Sequence, residues 1–140
     1  MSRKFYACVN NINFSEQRKQ IKKKASVLAG MPMQHAVFPY IVTISIRNVK
    51  EILNQPHKHY VEKNESLLKI RNLFEDSKYH GELVRRAEED LDSFLFETEI
   101  ADEPSWIIVR KYDRGGQCFI YSISDQASLL DHLKKPKENL

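Results

Sequence analysis

The sequence predicts an α+β fold: a small antiparallel sheet, built from one early strand and a C-terminal three-strand meander, with helices packed on one face. Two observations carry that expectation. Apolar residues recur at helical spacing through the N-terminal half, interrupted by the β-branched and aromatic run AVFPYIVTISI. From Phe94 onward the period changes to two, in short runs separated by turn residues.

Taken in order, Asn13-Phe14-Ser15-Glu16 opens the first helix, with Ser15 or Asn13 as the cap and an acid near the positive end of the dipole. Ile21, Ala25 and Leu28 fall at i, i+4 and i+7, one apolar stripe beneath a lysine-rich face. Gly30 followed by Pro32 ends it. Tyr40 to Ile46 reads as a buried strand, with Pro39 at its start, where a missing N–H costs least. Helical spacing returns from Ser45 to Leu53, with Val49, Ile52 and Leu53 as a small apolar face, and Pro56 stops it.

Asn64 or Ser66 caps the next helix, which runs to about Lys78 with Gly81 close behind. Leu67, Leu68, Ile70, Leu73 and Phe74 supply its core-facing stripe. Residues 82 to 93 are acidic and suit a short exposed helix or a loop. FLFETEI is a strand, ADEPS a turn and WIIVRKY a second strand. DRGGQ is a tight hairpin, where glycine supplies the positive φ such turns demand, and CFIYSIS is the partner strand. Asp125 or Ser124 caps a closing helix from Gln126 to Lys134, ended near Pro136.

With 140 residues, 41% hydrophobic and 29% charged, the chain suits one folded domain. Its expected parts are a basic extension over residues 1–39, a core over 40–124, and a C-terminal helix and tail over 125–140. The two cysteines, Cys8 and Cys118, form neither a disulfide framework nor a metal-type pair, so a reduced, packed thiol is expected. No apolar run is long enough to cross a bilayer, and MSRKFYACVNNINF lacks the apolar stretch of a signal peptide. A cytoplasmic location is the expectation. Charge is unevenly spread: Arg3, Lys4, Arg18, Lys19, Lys22, Lys23 and Lys24 face only Glu16 at the N-terminal end. Residues 82 to 103 reverse this, with nine acids against Arg85 and Arg86. A basic arm attracts phosphate over roughly a Debye length, about 8 Å at physiological salt.

The stretch LNQPHKHYVEKNESLLKI places His57 and His59 two residues apart, just after a proline. No glycine-rich phosphate loop or nucleophile elbow is present, and no third ligand stands near the two histidines by spacing. No metal and no cofactor is expected. What remains suits metal-free phosphodiester chemistry. RNA carries its own nucleophile, the 2′-OH, so an enzyme needs a base for that proton, an acid for the 5′-oxygen and cations for the phosphate. Histidine serves either proton-transfer role because its ordinary pKa is about 6.5. Candidates are His57, His59 and Glu65, with His80 at the end of the following helix. Arg110, Lys111 and Arg114 are the cations of the meander.

Strand alternation groups Trp106, Ile108, Arg110 and Tyr112 on one side and Ile107, Val109 and Lys111 on the other. Phe119, Tyr121 and Ile123 likewise oppose Cys118, Ile120, Ser122 and Ser124. The Ile107–Val109 row resembles core, which leaves Trp106, Arg110 and Tyr112 exposed as a stacking and phosphate platform. Tyr60 reads as a packing residue with its hydroxyl at the surface. His35 and His132 read as surface or cap residues, and His80 as a helix C-terminal cation.

The run ISIRNVKEILNQPHKHYVEKNESLLKIRNLFEDSKY, followed by WIIVRKYDRGGQCFIYSIS, resembles the phage- and mobile-element-associated nuclease-like domains grouped with barnase, EndoU, colicin and RelE toxins. The resemblance covers about residues 40 to 124, with Val49–Leu53, His57 or His59, Leu67–Tyr79 and the hairpin at Asp113–Gln117 in the corresponding slots. It implies metal-independent cleavage of RNA, or of tRNA by a toxin, with a possible immunity or antitoxin partner. On that reading His57 or His59 acts as general acid or base, and Arg110 or Lys111 clamps phosphate from opposite faces. Ser122 or Ser124 donates to the phosphate or the base. Lys22, Lys23, Lys24, Tyr60 and Arg114 bind RNA. The competing expectation is a non-catalytic module that docks on a host protein through the acidic segment or the Trp106–Tyr112 face.

Overall fold

The structure, a computed structural model, describes the backbone of residues 3–113 and 115–135 and the side chains of residues 14–113 and 115–135. The first helix, α1 (Arg3–Ala25), starts well before the predicted cap, so Ser15 is an interior helical residue. The side chain of Asn13 lies outside the described residues. A 3₁₀ turn over Ser26–Leu28 follows, and Gly30 then reverses the chain at φ +79°. Ile21 and Ala25 are buried and Leu28 packs beside them, so the stripe read from the sequence is the face that meets the core.

Only Val42–Thr43 (β1) of the predicted early strand is strand. Helix α2 (Ile46–Asn54) begins at Ser45, whose hydroxyl accepts from the Asn48 N–H at 3.0 Å. Asn48 Oδ1 in turn accepts from the Ser45 backbone N–H, and this reciprocal cap satisfies two donors that a helix start leaves free. Val49, Ile52 and Leu53 are buried. Helix α3 (Tyr60–Ser66) starts four residues ahead of the predicted Asn64 cap, because the stretch YVEKN is itself helical. A 3₁₀ turn over Leu67–Lys69 links it to α4 (Ile70–Glu75). Leu67, Ile70 and Phe74 are buried and Leu73 partly so, while Leu68 is exposed.

The helix ends at Glu75, not Lys78, because the Ser77 hydroxyl donates to Phe74 O at 2.5 Å and Ser77 N–H shares the same carbonyl. Lys78–Leu83 then forms a strand, β2, where helix end and acidic loop were expected. Its alternation is masked by a bulge between Tyr79 and Gly81, where Gly81 adopts φ +135°. Strands β3 (Leu91–Ile100) and β4 (Glu103–Tyr112) are longer than their sequence runs and meet in a two-residue turn. Ala101 and Asp102 both have positive φ there, 53° and 63°, the twist a type I′ hairpin requires. Strand β5 (Cys118–Ser124) completes a five-stranded mixed sheet in the order β1-β5-β4-β3-β2, with β1 parallel to β5. The architecture is α+β.

Helices α1 to α4 bury their apolar faces against one side of this sheet. Phe94, Phe96, Ile107, Val109, Ile120 and Ile123 are the sheet's share of that core. The opposite side holds a smaller cluster of Leu83, Leu95 and Trp106 with Ile108, Leu129 and Leu133. A 3₁₀ strap, Ala127–His132, lies over it in place of the predicted closing α-helix. The strap is tied along β2: Val84 N–H donates to His132 O and Lys134 N–H to Glu82 O, both at 2.8 Å. Trp106, expected on the exposed face, is therefore 3% exposed beneath the strap. No described helix is long and apolar enough to cross a membrane.

One irregularity shapes the strap side. Ile108 pairs with Ser122 but Val109 with Ile120, so Tyr121 is an extra residue bulged out of β5. Strict alternation would place Ile123 opposite Ile120; the bulge instead buries both on the helical side.

Candidate functional site

The segment 55–59 between α2 and α3 is tied to the end of β5. Gln55 donates to Tyr121 O at 3.2 Å and accepts from Ile123 N at 3.3 Å, and Asp125 accepts from the Lys58 N–H at 2.7 Å. His57 is held inside this junction, 8% exposed. Its Nδ1 accepts from the His59 backbone N–H at 2.9 Å, which assigns the ring proton to Nε2, 3.0 Å from the buried Ser105 Oγ. Burial lowers its pKa from the ordinary value, partly opposed by Asp125. Such a ring is a neutral structural link. His59 is half-buried, with Nε2 3.2 Å from Glu103, which also takes the Lys58 ammonium. Those two partners hold the Glu103 carboxyl below the usual range, Lys58 first.

Arg110 lies elsewhere. Ser105 and Arg110 are five residues apart on β4, roughly 16 Å along the strand, and point to opposite faces. The imidazoles of 57 and 59 and the guanidinium of 110 are thus not in one cleft. Lys111 is on the helical side, but at the hairpin end, with Nζ 5.2 Å from the Tyr40 ring centroid. Ser122 sits beside Ile108 on the strap side; the Ser124 hydroxyl accepts from Gln126 N–H at 3.1 Å and starts the strap's turn. Arg114 lies outside the described residues. The Tyr60 hydroxyl donates to Leu53 O at 2.6 Å and accepts from Arg18 at 3.1 Å, so it serves the helical packing. Lys22 lines a cavity of about 210 Å³ with Arg18, Lys19 and Lys50, and Lys23 and Lys24 are exposed on the same helix. These cations stand on the helical side of the sheet.

Of the other three histidines, two differ from expectation. His35 is buried, its ring bonded to Ser77 O at 2.6 Å and accepting from Val37 N–H, so it is a core link. His80 is in β2, not at a helix end, and pairs with Glu97 at 2.8 Å. His132, exposed as expected, closes the strap and lines the cavity on the sheet's open side.

That open side carries the most chemically equipped cavity. It measures about 400 Å³. Ser93, Ile108, Arg110 and Tyr121 form its floor, the 84–89 loop brings Arg85, Arg86 and Glu89 to one wall, and the strap brings His132 to the other. Register explains the floor, since Leu83 pairs with Ser93 and Ser93 with Arg110 in one row across three strands. Arg110 is 22% exposed and stacks on Tyr121, with Glu89 3.8 Å from its Nη2. Arg85 is held by Asp92 at 2.5 Å and Asp113 at 2.6 Å, which depresses the Asp113 carboxyl. One carboxylate, one imidazole and several guanidiniums thus converge on a single space. Glu65 lies apart from it, in a cavity with Gln17 and Lys24. Glu89 and His132 were not among the sequence candidates, and the one linear hint is Arg85-Arg86 in the midst of an acidic stretch. Among the described residues no group of three His, Cys, Asp or Glu side chains is placed to hold a metal ion.

A family model described as large polyvalent protein-associated domain 3 matches residues 12–121. The match takes in α2 to α4, the sheet up to Tyr121 and the whole cavity floor. No curated protein and no solved structure matches the chain.

Proposed function

This chain belongs to the large polyvalent protein-associated domain 3 family, a domain associated with phages and mobile elements, and from that premise we propose that it is a metal-independent endoribonuclease. The reaction centre is the cavity above Arg110. The observation that carries this reading is the convergence of Glu89, His132, Arg86 and Arg110 on one cavity of about 400 Å³. Cleavage of RNA by its own 2′-OH asks the protein for those groups and little else.

In the proposed reaction the Glu89 carboxylate takes the 2′-hydroxyl proton as that oxygen attacks the adjacent phosphorus. His132, protonated, gives its proton to the departing 5′-oxygen. The P–O bond to the 5′-oxygen breaks as the 2′-O–P bond forms, leaving a 2′,3′-cyclic phosphate and a free 5′-hydroxyl. Arg110 and Arg86 face the non-bridging oxygens, where negative charge accumulates. Arg110 is the better preorganised of the two, because Tyr121 supports its plane from below. His57 and Ser105 hold the 55–59 segment rather than touch the substrate. The natural target, tRNA or another RNA, and any immunity partner are open to the same assay.

The docking alternative has less support. Trp106 is buried, and Glu82, Glu89, Asp92 and Asp113 are each within ion-pair distance of Lys134, Arg110 or Arg85. The test is incubation of the purified full chain with RNA in EDTA, from about pH 5 to about pH 8, with the termini of the products identified. Cyclic phosphate ends that vanish in Glu89→Gln and His132→Ala are expected. RNA left intact throughout overturns the proposal.

A further inference from the structure

We infer that a second cavity, on the far side of the Arg110–Tyr121 stack, is a nucleobase subsite, so that the substrate is single-stranded RNA spanning at least two nucleotides with its reacting phosphate on Arg110. The inference rests on the proposed role of Arg110 as phosphate holder. Arg110 and Tyr121 line both cavities, and the second measures about 420 Å³. A chain held by its phosphate on that shared guanidinium has one nucleoside on each side.

The second cavity has the equipment of a base site rather than of a reaction centre. Tyr112 and Phe119 stack there with ring centroids 5.3 Å apart and planes inclined by 29°, and Tyr112 is 49% exposed. An exposed planar face next to a cation suits a base, because every base offers a π-face for stacking. The neighbouring polar groups of α2 are already committed: Ser45 and Asn48 to each other in the helix cap, and Arg47 to Glu51 at 3.3 Å. Gln117, exposed at the rim, supplies an amide for a base edge. The two cavities therefore divide the work: proton transfer on the His132 side, stacking on the Tyr112 side.

The test uses the full chain and a short, fluorescently labelled 2′-O-methyl RNA of mixed sequence, which cannot be cleaved because its nucleophile is blocked. Anisotropy should show Tyr112→Ala weakening binding by roughly tenfold to a hundredfold, and Tyr112→Phe retaining it. Inorganic phosphate should compete for wild type and Tyr112→Ala with the same inhibition constant, since it reads only the Arg110 side. If Tyr112→Ala melts well below wild type, Tyr112→Leu, which keeps apolar bulk without the ring, takes its place. Binding unchanged by loss of the ring, equal weakening in Tyr112→Phe, or a wild-type chain that does not bind the probe overturns the inference. Ring-dependent binding by a chain that leaves ordinary RNA intact overturns the cleavage proposal and keeps the subsite. Cleavage with ring-independent binding does the reverse.

Discussion

The guanidinium carbon of Arg110 lies 3.5 Å from the ring centroid of Tyr121. Alternation from the buried Ile120 turns Tyr121 to the open face, and the β5 bulge leaves it unpaired there beside Arg110 of β4. A cation held flat on a ring loses little further freedom when it meets a phosphate, so its field is directed before the substrate arrives.

Arg110→Ala is expected to lower RNA cleavage by about 10²–10³-fold, the usual cost of removing one preorganised charge-stabilising group. Arg110→Lys should recover little, because an ammonium neither stacks on Tyr121 nor presents a fork. Initial rates on a fluorogenic RNA, with melting temperatures as control, decide it. Lysine restoring most of the rate shows that charge alone suffices and that the stack is incidental.

Two histidines should respond oppositely to removal. His57→Ala leaves the Ser105 hydroxyl and the His59 N–H without their partner in a buried junction, a loss of about 1–3 kcal/mol. The rate per folded molecule should stay near wild type. His132→Ala should leave the melting temperature nearly unchanged, since its backbone makes the bond to Val84, and lower cleavage by roughly 10²–10⁴-fold. A His57→Ala protein of normal stability and no activity reverses the two roles.

The same burial gives His57 a pH signature. Its folded pKa is lowered, so near and below the ordinary value of 6.5 the unfolded chain binds a proton that the folded chain refuses. The stability it contributes is complete above that value and declines as pH falls through it toward the folded pKa. Urea midpoints of wild type and His57→Ala should therefore converge on acidification from about pH 7.5 to about pH 5.5. A gap that widens instead means the charged ring is the favoured one.

What the sequence revealed and what it hid divide along a physical line. Helix α2 was legible because Val49, Ile52 and Leu53 repeat at helical spacing within a few residues of one another, though its reciprocal Ser45–Asn48 cap was not read. So was the buried row of Ile107 and Val109, which alternates without interruption. Strand β2 was hidden because its bulge breaks the period that marks a strand, and the β5 bulge likewise moves Ile123 off the face that alternation assigns it. Glu89 and His132 were hidden for a different reason. They are far apart in sequence and line one cavity only because backbone bonds from Val84 and Lys134 draw the strap along β2, a pairing with no local residue signature. His57 and His59 are conspicuous in the chain as neighbours, yet the fold uses one to bridge a hydroxyl and a backbone N–H.

The turn between β3 and β4 offers a gain in stability. Ala101 and Asp102 adopt φ of 53° and 63°, a conformation in which asparagine and glycine are less strained than alanine and aspartate. Ala101→Asn with Asp102→Gly is expected to add about 1 kcal/mol, read as a higher denaturation midpoint at constant slope. A lower midpoint would mean that glycine's cost in the unfolded chain exceeds the strain relieved.

Lys63 is 0% exposed, with Nζ 2.5 Å from Ile52 O and 4.6 Å from the Tyr60 ring centroid. Burial, aided by the charge of Arg18, pushes its pKa down to about 8 from 10.5. At neutral pH the folded chain thus holds an ammonium in a place that disfavours it. Between those two values the unfolded chain keeps a proton that the folded chain has released, so this group makes stability rise with pH across that window. Lys63→Met fills similar space without the charge, and Ile52 O keeps the Gln55 N–H at 3.1 Å. The variant should be more stable than wild type by about 1–4 kcal/mol at pH 7, with the advantage shrinking toward pH 10. Cys118, whose thiol is pushed up to about 11 by burial, acts in the opposite sense above its ordinary value but equally in both proteins, so the difference between them isolates Lys63. A methionine variant less stable at pH 7 would show that the bond to Ile52 outweighs the desolvation of the charge.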